Sequence, residues 1–87
     1  SDCEIEEFKL TANIEKFNSF IKKSEKQFNF KNLGGALLLA TKVLGKLKGN
    51  PTNKVTLSPG MTMIFLGSKE QLENIRERLR EVLIKNY

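Results

Sequence analysis

The residues of this sequence that could do chemistry are few, and their types fit binding better than catalysis. The chain has no histidine and a single cysteine, Cys3, which excludes imidazole general-base catalysis and the usual zinc sites. Serines and threonines are plentiful, but a nucleophile needs a neighbouring base, and no motif pairs one of them with a lysine. We therefore expect a protein that is not an enzyme and that uses no metal or cofactor.

Glycines near the middle of the chain invite comparison with phosphate-binding loops. Gly34, Gly35, Gly45 and Gly49 match neither G-x-G-x-x-G nor G-x-x-x-x-G-K-[ST]. A glycine pair ahead of an apolar run is more typical of a bend at which two backbone segments approach closely. We interpret Gly34-Gly35 as such a bend and predict no nucleotide-binding loop.

The strongest candidates for binding are central lysines. The net charge is +5; residues 1–8 are acidic, whereas lysines greatly outnumber acids between residues 9 and 54. Lys42, Lys46, Lys48 and Lys54 surround one predicted turn, where they face a phosphate, an acidic partner or only solvent. A basic nucleic-acid-binding module is the alternative function. It is less favoured, because arginines and aromatic residues are not interleaved with these lysines.

Hydrophobic patterns and turn residues predict the elements that position these lysines. Glu4–Leu10 is predicted as a strand, in which Ile5 is out of phase and marks a bulge or a buried edge. Asn13 is the predicted N-cap of a helix over Ile14–Gln27. The predicted apolar face of this helix contains Ile14, Phe17, Phe20, Ile21, Ser24 and Phe28.

The central apolar run is ambiguous between strand and helix. Ala36–Val43 lacks alternation, as a strand covered on both faces would, but a short helix over Leu33–Leu47 also fits the pattern. We prefer the strand, because the following elements need a neighbour with which to pair. Residues 44–53 contain two glycines and Asn50-Pro51, which predict a turn and a ragged edge.

The segment before the last helix contains the clearest local signals. Lys54–Leu57 is predicted as a short strand. Ser58-Pro59-Gly60 is predicted as a turn, because proline presets φ and glycine gives a permissive backbone. The apolar run Met61–Leu66 predicts a further strand, and Ser68 with Gln71 predicts a capping box at the start of the last helix.

The last helix is predicted from apolar residues that recur every three or four positions. These are Leu72, Ile75, Leu79, Val82 and Leu83. The elements together predict an α+β fold: a small, mostly antiparallel four-stranded sheet with two helices in the order β-α-β-β-β-α. We expect residues 1–87 to be one domain of a larger protein.

The order and spacing of these motifs resemble the C-terminal domain of regulators of potassium conductance, the RCK-C or TrkA-C domain. The segments that carry the resemblance are Gly34–Ala40, Gly49–Pro51, Val55–Gly60 and Ile64–Leu72. The resemblance covers residues 33–80. The chain departs from the family at Met61, where members usually have aspartate, and lacks their glycine near the end of the first strand.

The resemblance implies a cytoplasmic, homodimeric, ligand-sensing regulatory domain of a potassium or other ion channel or transporter. Its effector would be a small molecule such as a cyclic dinucleotide, and no nucleic acid is expected. From charge and location, the residues predicted to bind the effector are Lys42, Lys48, Asn50 and Pro51. The residues predicted to face the second copy are Leu37, Leu39, Ile64 and Leu66; the alternative is that they pack under the two helices.

Overall fold

The computed structural model of the chain describes residues 2–24, 35–49 and 55–84. Within these residues, the elements follow the predicted order β-α-β-β-β-α. The strands are β1 (Glu4–Lys9), β2 (Leu37–Val43), β3 (Lys46–Gly49) and β4 (Thr62–Gly67), and the helices are α1 (Ile14–Ser24) and α2 (Lys69–Arg78). The predicted α+β fold with two helices is confirmed.

The strands form a single antiparallel sheet in the order β1-β4-β2-β3. The β1–β4 register is regular along its whole length, and the Ile5 side chain is 65% exposed. The bulge or buried edge predicted at Ile5 is therefore wrong. The register is irregular instead in β2, where it shifts between Leu38 and Ala40.

The third strand lies earlier in the chain than predicted. We expected it at Lys54–Leu57, but β3 is Lys46–Gly49 and pairs with β2 immediately after a turn at Leu44 and Gly45. Both turn residues have positive φ, the conformation that lets antiparallel strands connect through only two residues. The turn predicted within residues 44–53 is therefore present at Leu44 and Gly45, where the chain forms a tight hairpin instead of the predicted ragged edge. Lys54 lies outside the described residues.

Both helices pack on one face of the sheet. The buried core cluster combines side chains from the sheet, both helices and their connections: Phe8, Leu10, Phe17, Phe20, Ala36, Met61, Met63, Phe65, Leu72, Ile75, Leu79 and Val82. In α1, the core-facing residues are Phe17 and Phe20, whereas Ile14 and Ile21 are exposed. The buried stripe of this helix is thus narrower than its predicted apolar face, whose Phe28 lies outside the described residues.

The predicted caps and turn are present. Asn13 Oδ1 accepts a hydrogen bond from the backbone N of Lys16 at 3.0 Å, which caps α1. Ser68 Oγ accepts from the Gln71 backbone N at 3.1 Å, and Gln71 Oε1 accepts from the Ser68 backbone N at 2.8 Å. This reciprocal pair is the predicted capping box. The Ser58 carbonyl accepts from the backbone N of Met61 at 3.3 Å, which closes the predicted turn.

The last helix ends earlier than predicted. α2 stops at Arg78, after which the chain turns back along the end of β1. The backbone N of Ile84 donates to the Lys9 carbonyl at 2.9 Å, and Leu10 and Leu83 form an isolated antiparallel bridge. The predicted continuation of the helix is therefore wrong, because this stretch pairs with β1. Leu79 and Val82 are buried in the turns that follow α2, and Leu83 is partly buried at the bridge.

Candidate functional site

The sheet face opposite the helices carries an apolar patch. Side chains alternate along a strand, so Ile64 and Leu66 lie on the opposite face of β4 from the core residue Phe65. In the register, Ile5 and Leu37 flank Leu66 on the two neighbouring strands. Ile5 is 65% exposed and Leu37 is 55% exposed. We call this patch the open face; it consists of Ile5, Leu37, Ile64 and Leu66.

Most of the residues predicted to face a second copy lie together on the open face. Leu37, Ile64 and Leu66 share it, away from the side on which both helices pack. Leu39 is the residue that the β2–β4 register skips, and it is half-buried. The expectation that β2 is covered on both faces is wrong at Leu37. Ile5 was not predicted at an interface, although its position out of phase in β1 was the available signal.

The lysines predicted to bind the effector do not share one face. Lys42 pairs with Leu47, whereas Lys48 pairs with Thr41, so the two lysines lie on opposite sides of the sheet. Asn50 and Pro51 lie outside the described residues. The lysines of β2 and β3 therefore surround the hairpin, and those described do not converge on one pocket.

The turn of this hairpin carries an exposed leucine. Leu44 and Gly45 have φ values of 51° and 77°, and Val43 pairs with Lys46 across the turn. Hairpin turns with positive φ at both central residues favour asparagine, aspartate or glycine at the first of them. Leu44 is 96% exposed, so neither backbone preference nor burial against the described residues accounts for a leucine there.

A basic cleft lies on the helical side of the domain, between α1 and the chain that follows α2. Its volume is about 770 Å³. The bridge between Leu10 and Leu83 holds the two walls in place, together with a hydrogen bond of 2.7 Å from the Thr11 backbone N to the Val82 carbonyl. The cleft is lined by Thr11, Lys16, Ser19, Phe20, Lys23, Arg80, Glu81, Leu83 and Ile84.

The lining of this cleft suits an anion. Lys16, Lys23 and Arg80 contribute positive charge and Glu81 one negative charge. Arg80 has an ion pair with Glu77 at 3.5 Å, but both side chains are largely exposed, so solvent screens this contact and leaves the guanidinium available. The two lysines are about 10 Å apart along the axis of α1. They could therefore contact two separate anionic groups of one ligand.

Sequence reasoning did not identify the cleft. The signal on α1 was the recurrence of Lys16, Ser19 and Lys23 at helical spacing, which puts them on one side of the helix. Arg80 joins them only because the chain reverses after α2. Two ion pairs join residues three positions apart, from Arg76 to Glu73 within α2 and from Arg80 to Glu77 at its end.

Arg76 has a structural role that the sequence did not predict. Its guanidinium makes an ion pair with Glu6 of β1 and lies 5.4 Å from the centre of the Phe8 ring. These contacts connect α2 to the edge strand. Because both partners of the ion pair are partly exposed, the contact contributes modestly to stability.

Across residues 2–24, 35–49 and 55–84, no group of three or more cysteine, aspartate and glutamate side chains could hold a metal ion. No helix in these ranges is long and apolar enough to cross a membrane. Comparison of the chain with known protein families, with curated proteins and with solved structures found no match.

Proposed function

We propose that this chain is a regulatory domain that forms a homodimer through the open face and senses a small anionic effector. By its resemblance to RCK-C domains, we infer that it acts in the cytoplasm on an attached or associated potassium or other ion channel or transporter. The observation that carries the proposal is the open face, an apolar patch on the side of the sheet away from both helices.

The open face supports pairing for an energetic reason. Ile5 and Leu37 expose apolar surface to water on either side of Leu66. Burial of apolar surface contributes roughly 25 cal/mol per Å² to the free energy of association. A second copy would supply the same patch in reverse, as a two-fold axis requires. The patch is small, so the dimer is expected to be weak and to depend on protein concentration.

The basic cleft supports effector sensing. Its lysines and arginine suit phosphate or carboxylate groups, and its apolar floor, which includes Phe20 and Leu83, suits an organic body. An effector can regulate only if its affinity differs between two arrangements of the protein. An effector that contacts both the lysines of α1 and Arg80 would favour the arrangement in which these side chains lie close enough to bind it together.

The dimer is tested by light scattering over a range of protein concentrations. We expect the mass of the unmodified chain to approach that of two copies at high micromolar concentration, and Leu37→Glu to keep it at one copy. Leu44→Glu is the matched control, because it adds the same charge at an exposed leucine away from the open face. A monomeric unmodified chain at every concentration would contradict the proposal, as would equal dimerisation of Leu37→Glu.

Effector sensing is tested separately by thermal unfolding with nucleotides, cyclic dinucleotides and inorganic phosphate. A ligand at a hundred times its Kd stabilises the folded state by about 2.7 kcal/mol, which raises Tm by roughly 10–20 °C in a domain of this size. The double variant Lys16→Gln/Lys23→Gln should lose this shift, whereas Lys9→Gln/Lys22→Gln should retain it. No shift with any compound would contradict sensing and leave a role in assembly alone.

A further inference from the structure

We propose that the β2–β3 hairpin is a membrane-contact element, in which Leu44 enters the interfacial region of a bilayer and the surrounding lysines bind anionic lipid headgroups. We call residues 42–48 the hairpin tip. This inference does not depend on the dimer or on the effector cleft. It rests on the backbone conformation, the exposure and the charge of the hairpin tip.

The conformation of Leu44 is the first observation. A φ of 51° at a residue other than glycine is uncommon, and it is costlier for leucine than for asparagine or aspartate. The turn itself would be more stable with asparagine at this position. Backbone strain that the fold does not require is a reason to look for a function of the side chain.

The exposure of the hairpin tip is the second observation. Leu44 is 96% exposed and Leu47 is 63% exposed. Leu44 projects from the turn at the end of the sheet, about 20 Å along β2 from Leu37 of the open face. A second copy bound at the open face would therefore leave Leu44 uncovered.

The arrangement of charge is the third observation and identifies the partner. Lys42 lies on one side of the sheet, and Lys46 and Lys48 lie on the other. Residues 35–49 include no acidic residue. Lipid headgroups surround an inserted side chain, so cations on both sides of the hairpin can contact them, while their apolar stems extend along the interface. A flat acidic protein surface would meet the lysines of one side only.

A nucleic acid fits the hairpin tip less well than a lipid surface does. Lysines could contact phosphates in either case, but residues 35–49 contain no aromatic side chain on which a base could stack. Leu44 would also gain little against a phosphate backbone. An apolar side chain ringed by lysines matches an anionic membrane surface, which offers both an apolar layer and negative charge.

Sedimentation with lipid vesicles tests the proposal. The vesicles contain about three parts phosphatidylcholine to one part phosphatidylserine, or phosphatidylcholine alone. We expect the unmodified chain to bind the anionic vesicles, with an affinity that falls as salt rises. Leu44→Asn should weaken binding about tenfold through loss of the inserted side chain. Replacement of any one lysine of the hairpin tip by glutamine should weaken vesicle binding about fivefold.

Matched controls separate insertion from folding and from net charge. Ile14→Asn removes an exposed apolar side chain at the start of α1, outside the open face and the basic cleft, and should leave vesicle binding unchanged. The triple variant Lys16→Gln/Lys22→Gln/Lys23→Gln removes as much charge as the hairpin triple variant Lys42→Gln/Lys46→Gln/Lys48→Gln but should weaken binding much less. Because asparagine suits the turn, Leu44→Asn should bind less while unfolding at a higher urea concentration, a combination that a purely structural role does not produce.

Several results would overturn the proposal. The first is failure of the unmodified chain to bind anionic vesicles. The second is binding by Leu44→Asn that equals binding by the unmodified chain. The third is a loss of vesicle binding in the α1 triple variant as large as that in the hairpin triple variant. Tighter binding to a mixed oligonucleotide than to anionic vesicles, with no effect of Leu44→Asn, would assign the lysines to nucleic acid instead.

Discussion

Replacement of Gly35 by alanine should destabilise the domain by about 2 kcal/mol, for two separable reasons. Gly35 has a φ of +84°, in the region that side chains disfavour. A Cβ at this position would lie 2.9 Å from Nε2 of Gln71, the side chain that caps α2 through its bond to the Ser68 backbone N. The substitution therefore strains the backbone and displaces the cap.

The magnitude follows from these two effects. Left-handed φ costs an L-residue about 1–2 kcal/mol, while the stiffer unfolded chain of the alanine variant returns about 0.4–1 kcal/mol. Backbone strain thus leaves a net cost of roughly 0.5–1 kcal/mol. Displacement of the Gln71 amide weakens a capping interaction worth about 1 kcal/mol. The two contributions add to about 2 kcal/mol if the sites behave independently.

Other glycines of the chain isolate each contribution. Gly45 has a φ of +77°, and no atom of the described residues lies within 4 Å of where its Cβ would be, so Gly45→Ala should cost only the backbone part, about 0.5–1 kcal/mol. Gly67 has ordinary φ, but its Cβ would lie 3.0 Å from Cβ of Ala36, so Gly67→Ala should cost about 1–3 kcal/mol through overpacking. Gly49 has neither constraint within the described part of the chain, and Gly49→Ala should be neutral or slightly stabilising.

Urea unfolding followed by circular dichroism measures the series, at one protein concentration so that any dimerisation contributes equally. The expected order of stability is Gly49→Ala, then Gly45→Ala, then Gly35→Ala. Equal losses for Gly35→Ala and Gly45→Ala would show that the approach of Gln71 has no energetic consequence. A loss at Gly49 as large as that at Gly35 would refute the reasoning altogether.

Further predictions use the same unfolding assay. Leu44→Asn should raise the free energy of unfolding by about 1 kcal/mol, because asparagine accepts positive φ more readily; a loss would show that the leucine is not strained. Phe65→Ala should cost about 3–5 kcal/mol, whereas the exposed Leu47→Ala should change stability by less than about 0.5 kcal/mol. Arg76→Ala should lower the free energy of unfolding by about 1 kcal/mol, and by less at high salt. Arg76→Lys should restore only part of this loss, because an ammonium group lacks the planar guanidinium. Full restoration would show that the positive charge alone accounts for the contact.

Features encoded by neighbouring residues were predictable from the sequence. The Ser58-Pro59-Gly60 turn, the Asn13 cap and the capping box of Ser68 and Gln71 are all present. Each depends on contacts between residues at most three positions apart, so no knowledge of the fold is needed to recognise it. The need of its neighbours for a pairing partner predicts a strand rather than a helix for the apolar run of β2, and this prediction is confirmed.

The errors arose where distant segments meet. The apolar spacing of Leu79 and Val82 suits a longer helix, but pairing of the following residues with β1 ends α2 first. Gly45 and Gly49 suggested a break in structure, because nothing local shows that Leu44 accepts positive φ in a hairpin. Ile5 suggested a bulge, although it faces away from the helices.

The candidate surfaces were predictable only in part. Leu37, Ile64 and Leu66 were identified from their apolar character, and the structure brings them to one face. The cleft was missed, because its lysines come from α1 and its arginine from a segment about 60 residues later that the fold returns to the same place. The hairpin tip was seen only as a cluster of lysines, without the exposed leucine between them.

The order of strands and helices, the starts of both helices and the lack of imidazole chemistry follow from the amino-acid sequence alone. They depend on residue type and on contacts within a turn or two of chain, which composition and spacing report directly. The end of α2, the position of β3 and the faces on which Lys42, Lys48 and Leu44 lie were decided by the tertiary structure. The physical reason is that strand register and chain reversal place distant residues side by side, and no local pattern contains that information.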